Sequence, residues 1–164
     1  MSSFKDLKLK IEMVPKTLWN VNLRYLLTDK KWQEVRRSEF NRIGKSEDGF
    51  YRCEICTAKK TTLDCHEIWE YNDEEVIQTL TGLIMLCKKC HLIKHIGFAT
   101  KLCNEGRMSM GALVNHFSLI NVVHKSVFEK HFEEEYAKWT ERSEKQWKQN
   151  LDYIFKYENL VLFQ

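Results

Sequence analysis

The 164-residue sequence has little proline and glycine, one and six residues respectively, and no long apolar run. So little of either argues against collagen-like, low-complexity or disordered sequence. No internal repeat, Gly/Ser linker or Gly-rich nucleotide-binding loop is present. The longest apolar stretches, residues 83–86 and 21–27, fall far short of the roughly 18–20 residues needed to span a membrane. The opening MSSFKDLKLK is charged and lacks an apolar centre and a small-residue cleavage site. No secretory signal is therefore expected, and an intracellular protein is the default.

What is present is the composition of a globular, helix-leaning chain, 43% hydrophobic and 30% charged, at a length that suits one domain. The net charge is only +3, but residues 1–60 carry 14 Lys/Arg against 8 Asp/Glu. That excess suits a nucleic-acid partner, since phosphate contacts supply much of such affinity, and it suits a solvated surface equally well. Charge alone does not decide the matter.

The cysteines say more. Cys53-Glu-Ile-Cys56 and Cys87-Lys-Lys-Cys90 are two C-x-x-C pairs, and without a signal a disulfide framework is a poor reading of them. Each pair lets one tight turn present two thiolates to the same ion, and two turns complete a closed tetrahedron of sulfurs around zinc. A closed site leaves no open coordination position, so this zinc is expected to hold the fold rather than perform chemistry. Cys65 and Cys103 stand outside the pairs. A catalytic thiol is possible at either, but packing or ligation explains them better.

Between the pairs, Thr61-Thr-Leu-Asp-Cys-His-Glu-Ile-Trp-Glu70 has β-prone character and is followed by an acidic turn at 72–75 and an apolar strand or loop at 83–86. After the second pair runs Cys90-His-Leu-Ile-Lys-His-Ile-Gly97. His91 and His95 are four apart, so on a helix they share a face and can bind one divalent cation. Gly97 is suited to ending that helix. His66, on a partner strand, supplies a third imidazole.

Taken together, C-x-x-C, then Cys-His-Glu-Ile-Trp, then Leu-Cys-x-x-Cys-His-x-x-x-His resembles the HNH endonucleases of the zinc-stabilised ββα-metal class. The tract from Tyr51 to Gly97 carries the resemblance. Pro15-Lys-Thr-Leu-Trp19 and Trp139-x-x-Arg-Ser with Trp147 resemble the flanks of small bacterial and phage members. The resemblance implies an α+β fold in which a small zinc-containing ββα-metal core is embedded in a mainly helical scaffold. It also implies hydrolysis of DNA phosphodiester bonds with one divalent ion (Mg²⁺, Mn²⁺, Ni²⁺ or Zn²⁺), in the cytoplasm of a bacterial or phage-infected cell.

Carried over by position, His66 falls on the general base, and His91 and His95 on helix metal ligands. In an alternative register His66 is the ligand and Glu67 the base. Two positions depart from the family pattern: Cys65 stands where Asp or His is expected, and Gly82 near where an Asn is expected. A neutral imidazole can accept a proton from water at cellular pH, while a bound cation stabilises the phosphoryl charge.

The rest reads as scaffold. Residues 29–43 form a helix on the spacing of Trp32, Val35, Phe40 and Ile43, stopped by Gly44. Further helices are expected at 108–122, with Ser109 as N-cap, and at 126–148, whose aromatic stripe is read as core rather than as a base-stacking platform. Arg36, Arg37, Arg42, Lys59 and Lys60, with Arg24 nearby, are candidate phosphate contacts or a solubilising surface. The organisation expected is a basic helical segment at 1–48, the metal core at 49–100 and a helical region at 101–158. Residues 159–164 resemble a viral-protease cleavage remnant. Two functions are carried forward: a DNA nuclease, and a catalytically weak or inactive zinc module binding DNA or a protein partner, which would also supply specificity; no membrane is involved.

Overall fold

The computed structural model describes residues 4–157; the expected remnant at 159–164 lies outside the described residues. The architecture is mixed α+β, with six α-helices and two small sheets among the described residues. A short helix α1 (Leu23–Leu26) leads into α2 (Asp29–Ile43). Helix α2 begins where the Thr28 hydroxyl accepts from the Lys31 N–H at 3.2 Å, and it ends at Gly44, whose φ of +62° suits a residue without Cβ. Its buried stripe is Trp32, Val35 and Glu39.

A two-stranded ribbon, β1 (Tyr51–Arg52) and β2 (Lys59–Lys60), holds the first cysteine pair in its turn. Then comes a long antiparallel hairpin, β3 (Asp64–Asn72) and β4 (Ile77–Leu86). Its turn is shaped by the Asn72 side-chain oxygen, which accepts from the N–H groups of Glu74 and Glu75 at 3.1 and 3.0 Å. The apolar 83–86 stretch is the inner end of a ten-residue strand. Its start was hidden because IQTLTG alternates, whereas the end is buried on both faces and reads as continuous apolar sequence. Gly82 lies opposite Ile68 at a register shift, and a Cβ there would stand 3.1 Å from Ile68 Cδ1. Close approach explains this glycine.

Helix α3 (Lys88–Lys94) starts inside the second cysteine pair, and α4 (Ile96–Asn104) follows at once. Gly97, expected to end the first helix, instead lies inside the second. The break falls at His95 (φ −103°, ψ 54°), where the Glu12 N–H donates to the Lys94 carbonyl at 3.2 Å and satisfies a helix-end acceptor. The expected boundary at residue 100 therefore falls within α4.

Helix α5 (Met110–Asn121) has Ser109 as its N-cap, the hydroxyl accepting from Ala112 N–H at 3.3 Å. Helix α6 (Ser126–Arg142) is shorter than the expected 126–148. The Trp147 indole donates to the Arg142 carbonyl at 2.8 Å, and the Arg142 guanidinium forks onto Asp73 at 2.8 and 2.6 Å. These bonds fold the chain back, and β5 (Lys148–Asn150) pairs in parallel with Ile77–Thr79.

The β3–β4 sheet divides the apolar interior. Leu80 and Leu83 cluster with Trp32 and Val35 of α2, while Ile84 and Leu86 cluster with Leu92 and Ile93 of α3. The segment expected as a separate basic helical unit is partly extended and threads this interior, with Leu9 and Ile11 fully buried beside Phe117. Asn121 clamps Leu9 by two bonds of 3.0 and 2.9 Å, and the Ile11 N–H donates to His131 Nε2 at 3.0 Å. No helix among the described residues is long and apolar enough to cross a membrane.

Candidate metal centres

The two C-x-x-C pairs meet. Cys53, Cys56, Cys87 and Cys90 bring their sulfurs within 4.8 Å of one another, and Cys56 and Cys87 are 3.5 Å apart. In a tetrahedral zinc site with Zn–S near ~2.3 Å the sulfurs would stand about 3.8 Å apart, so the four thiols fit such an ion. The first turn is closed by Thr57 N–H to Cys53 C=O (2.9 Å) and Cys53 N–H to Ala58 C=O (3.1 Å), with Thr57 at positive φ. The second pair spans the start of α3, and the Cys90 sulfur lies 3.2 Å from His116 Nε2 on α5. The thiols perturb one another as crowded donors must. Hydrogen bonds from Cys87 and Cys90 draw the Cys53 thiol far below its usual range, while those with Cys53 and Cys87 push Cys90 up.

Arg42 belongs to this centre's support. It donates to Glu39 at 2.6 Å and forks onto Glu54 at 2.8 and 2.8 Å, and Glu54 in turn accepts from Met85 N–H at 2.6 Å. The guanidinium expected as a phosphate contact therefore ties the first cysteine turn to α2 and β4. Lys59 pairs with Asp48 at 2.6 Å. Arg37 and Lys60 are exposed, and Arg36 lines the cleft described below.

A second group lies on the α3 side of the hairpin. His66 projects from β3, His91 from α3 and His95 from its end, and one nitrogen of each falls within 4.8 Å of the others. His66 Nδ1 stands 3.1 Å from His95 Nε2. With metal–nitrogen bonds of about 2.05 Å, two ligands would be ~2.9 Å apart in octahedral and ~3.3 Å in tetrahedral geometry. The donor set could thus hold one ion such as zinc.

Carboxylates fix the ring tautomers. His66 Nε2 donates to Glu12 Oε2 at 3.1 Å, so the neutral ring carries its lone pair on Nδ1, toward His95. His91 Nδ1 donates to Asp64 Oδ2 at 3.1 Å, leaving Nε2 as its lone-pair nitrogen. An imidazole that binds metal through one nitrogen and a carboxylate through the other is the usual outer-shell arrangement. Burial would raise the Glu12 carboxyl, but the His66 hydrogen bond and the Lys94 ammonium outweigh it and hold Glu12 at about 2. Lys94 is itself buried and ion-paired to Glu12 Oε1. Burial lowers His66 and, with the neighbouring imidazoles, takes His95 down to about 3, so both rings are neutral at physiological pH.

Glu67 is not brought into this group. Adjacent strand residues face opposite sides of a sheet, and its carboxylate accepts from Leu23 N–H at 2.8 Å and from the Trp69 indole at 3.0 Å. Burial pushes it up to about 7. Burial likewise raises Cys65 to about 12, which makes it a poor thiolate nucleophile. Glu12 and Asp64 were missed in the sequence. Asp64 was findable, being two residues before His66 and so on the same strand face. Glu12, 54 positions from His66, carries no sequence signal of its role.

The histidines open onto a cleft of about 1450 Å³ that reaches from α1 to α6. Comparison of the chain with protein-family models, with curated proteins and with solved structures returns no match.

Proposed function

We propose that this chain is a metal-dependent nuclease of the HNH type, hydrolysing DNA phosphodiester bonds with one divalent ion on His66, His91 and His95 and a structural zinc on the four cysteines. The observation that carries this reading is the convergence of three imidazoles, one from the hairpin and two from the helix behind the second cysteine pair, at the edge of a large open cleft. When bound there, a divalent ion would polarise a phosphoryl oxygen and make water more acidic. Glu12 and Asp64 hold His66 and His91 in the tautomers that present their lone pairs.

Both nitrogens of His66 are engaged, one toward His95 and one by Glu12. That favours His66 as a ligand over His66 as the general base. Glu67, bonded to Leu23 and Trp69, anchors the start of α1. The same engagement of Glu67 favours a second reading, a module on this fold that binds DNA without cutting it.

The test is plasmid nicking with Mg²⁺, Mn²⁺ or Ni²⁺ alongside metal titration. Wild type should nick, and His66→Ala and His91→Ala should each lose both ion binding and nicking. His66→Ala that retains the ion but cannot cut would restore the base role. A wild type that binds ion and DNA yet never nicks would select the binding module.

A further inference from the structure

Six aromatic rings are strongly exposed among the described residues, and four of them line the histidine cleft: Trp19 (57%), Tyr25 (63%), Phe98 (53%) and Tyr136 (51%). Their placement is built rather than incidental. The Trp19 indole N–H is tethered to the Val14 carbonyl at 2.9 Å, and Trp139 donates to that same carbonyl at 3.0 Å. The polar edge of Trp19 is thereby fixed while its ring remains in solvent. Tyr136 lies 5.4 Å from Trp139 on α6, and Trp139 is tied to Trp19 through their shared acceptor, the Val14 carbonyl. On α4, Ile96, Ala99 and Leu102 face inward, and Phe98 shares the outer side with Lys101, three residues on.

Cations are interleaved with these rings. Lys10, Arg24 and Lys101 also line the cleft and carry no ion pair among the described residues, unlike Lys94, Lys138 and Arg142, while Arg36 lines it but donates to Gln33 at 3.1 Å and lies over the Phe40 ring. Free cations beside exposed aromatic faces are the two elements of a single-strand platform: phosphates on the charges, unstacked bases on the rings. A duplex keeps its bases stacked on each other and offers these rings no free base face to stack on.

We infer that this cleft binds a single-stranded segment of nucleic acid, stacking bases on Trp19, Tyr25, Phe98 and Tyr136 and leading the backbone past the three histidines. The inference rests on the nuclease reading only for what happens to the strand once bound.

The experiment is fluorescence anisotropy with zinc-loaded His91→Ala protein, so that binding is read apart from cutting. The probes are a labelled 20-nucleotide single strand, the same sequence as a blunt duplex, and an abasic strand of equal length. The single strand should bind at least ~10-fold more tightly than either alternative. Trp19→Ala and Tyr136→Ala should each weaken it by ~5- to ~150-fold, the range for one lost stacking contact, with Trp19→Phe restoring most of the loss. Arg24→Ala and Lys101→Ala should each reduce the salt slope of single-strand binding by about 0.7. Circular dichroism and zinc content confirm that each variant is folded.

Equal or tighter duplex binding, abasic binding that matches the normal strand, or indifference to the ring substitutions would overturn the inference. Single-strand binding of this kind by a wild type that cuts nothing would leave it standing and remove the nuclease reading. Duplex cutting without single-strand preference would do the reverse.

Discussion

The two candidate metal centres share helix α3 and differ in nearly every other physical respect. The cysteine group has four soft donors, three of them buried, within the main apolar cluster. The histidine group has three nitrogen donors, two of them half-buried, and a cleft beside it. Four sulfurs close a tetrahedron, whereas three nitrogens leave positions for exchangeable ligands. The support differs too. The sulfurs are held by backbone turns and by helix α3 itself, while the imidazoles are held by carboxylates, one of which arrives from the distant N-terminal segment. A centre that fixes the fold can be encoded locally; one that holds an exchangeable ion needs orientation from elsewhere.

The sharpest way to break this contrast is to remove one donor from each. Cys87→Ser should abolish folding, because binding energy at a structural zinc site, on the order of 10–16 kcal/mol, is folding energy and exceeds or matches a typical domain's whole stability of about 5–15 kcal/mol. His91→Ala should leave a cooperatively folded protein that retains the cysteine-bound zinc. Circular dichroism with elemental analysis checks both. A folded Cys87→Ser protein, or an unfolded His91→Ala protein, would exchange the roles of the two centres.

How much of each centre was legible in the sequence follows the same divide. The cysteine pairs were readable because each closes within four residues. His91 and His95 were readable because helical geometry alone puts residues four apart on one face. The strand carrying His66 followed from β-prone residues, and the helices around Trp32 and Leu113 followed from periodicity. Illegible were the features that depend on distant partners. The end of α3 is set by Glu12 rather than by Gly97, and α6 is cut short by Trp147 and Asp73. Arg42 reads as an exposed cation on its own helix, yet Glu54, twelve positions on, takes it up. The aromatic stripe of α6 reads as core, and Phe128 and Phe132 do pack there, whereas Tyr136 is exposed at the cleft because only contacts between elements decide which edge of a helix is covered.

A smaller effect is expected from the orienting carboxylate. Glu12→Gln should weaken ion affinity at the histidines by about 10- to 100-fold, the usual cost of losing an outer-shell partner, without displacing the zinc from the cysteines. Because the change also leaves buried Lys94 without its counter-charge, Glu12→Gln combined with Lys94→Met separates the two effects. Glu67→Gln should leave ion affinity within about twofold of wild type, since Glu67 bonds to Leu23 and Trp69. Isothermal titration with a divalent ion reads all three. A large loss in Glu67→Gln with none in Glu12→Gln would show that the orienting group had been misassigned.

The smallest effect concerns how the segment carrying Glu12 is held down. His131 is buried, and its Nε2 accepts from the Ile11 N–H, so that nitrogen must be unprotonated; Nδ1 has no hydrogen-bond partner among the described residues. Burial lowers the His131 pKa below the ordinary 6.5, with Lys138 and Lys10 adding to the shift and Glu135 and Glu134 opposing it. Below pH 6.5 the unfolded chain therefore takes up a proton that the folded chain resists, and stability falls as the pH drops through that window. Protonation also removes the acceptor for Ile11, one residue before the carboxylate that orients His66. Urea unfolding at pH 7.5 and 5.5 should show a smaller loss on acidification for His131→Gln, whose amide oxygen can accept from Ile11 without titrating. Hydrogen exchange at Ile11 should quicken in wild type at the lower pH beyond the intrinsic change, and hold steady in the variant. Equal acid sensitivity in the two proteins would mean that the segment is held by Leu9 and Asn121 alone.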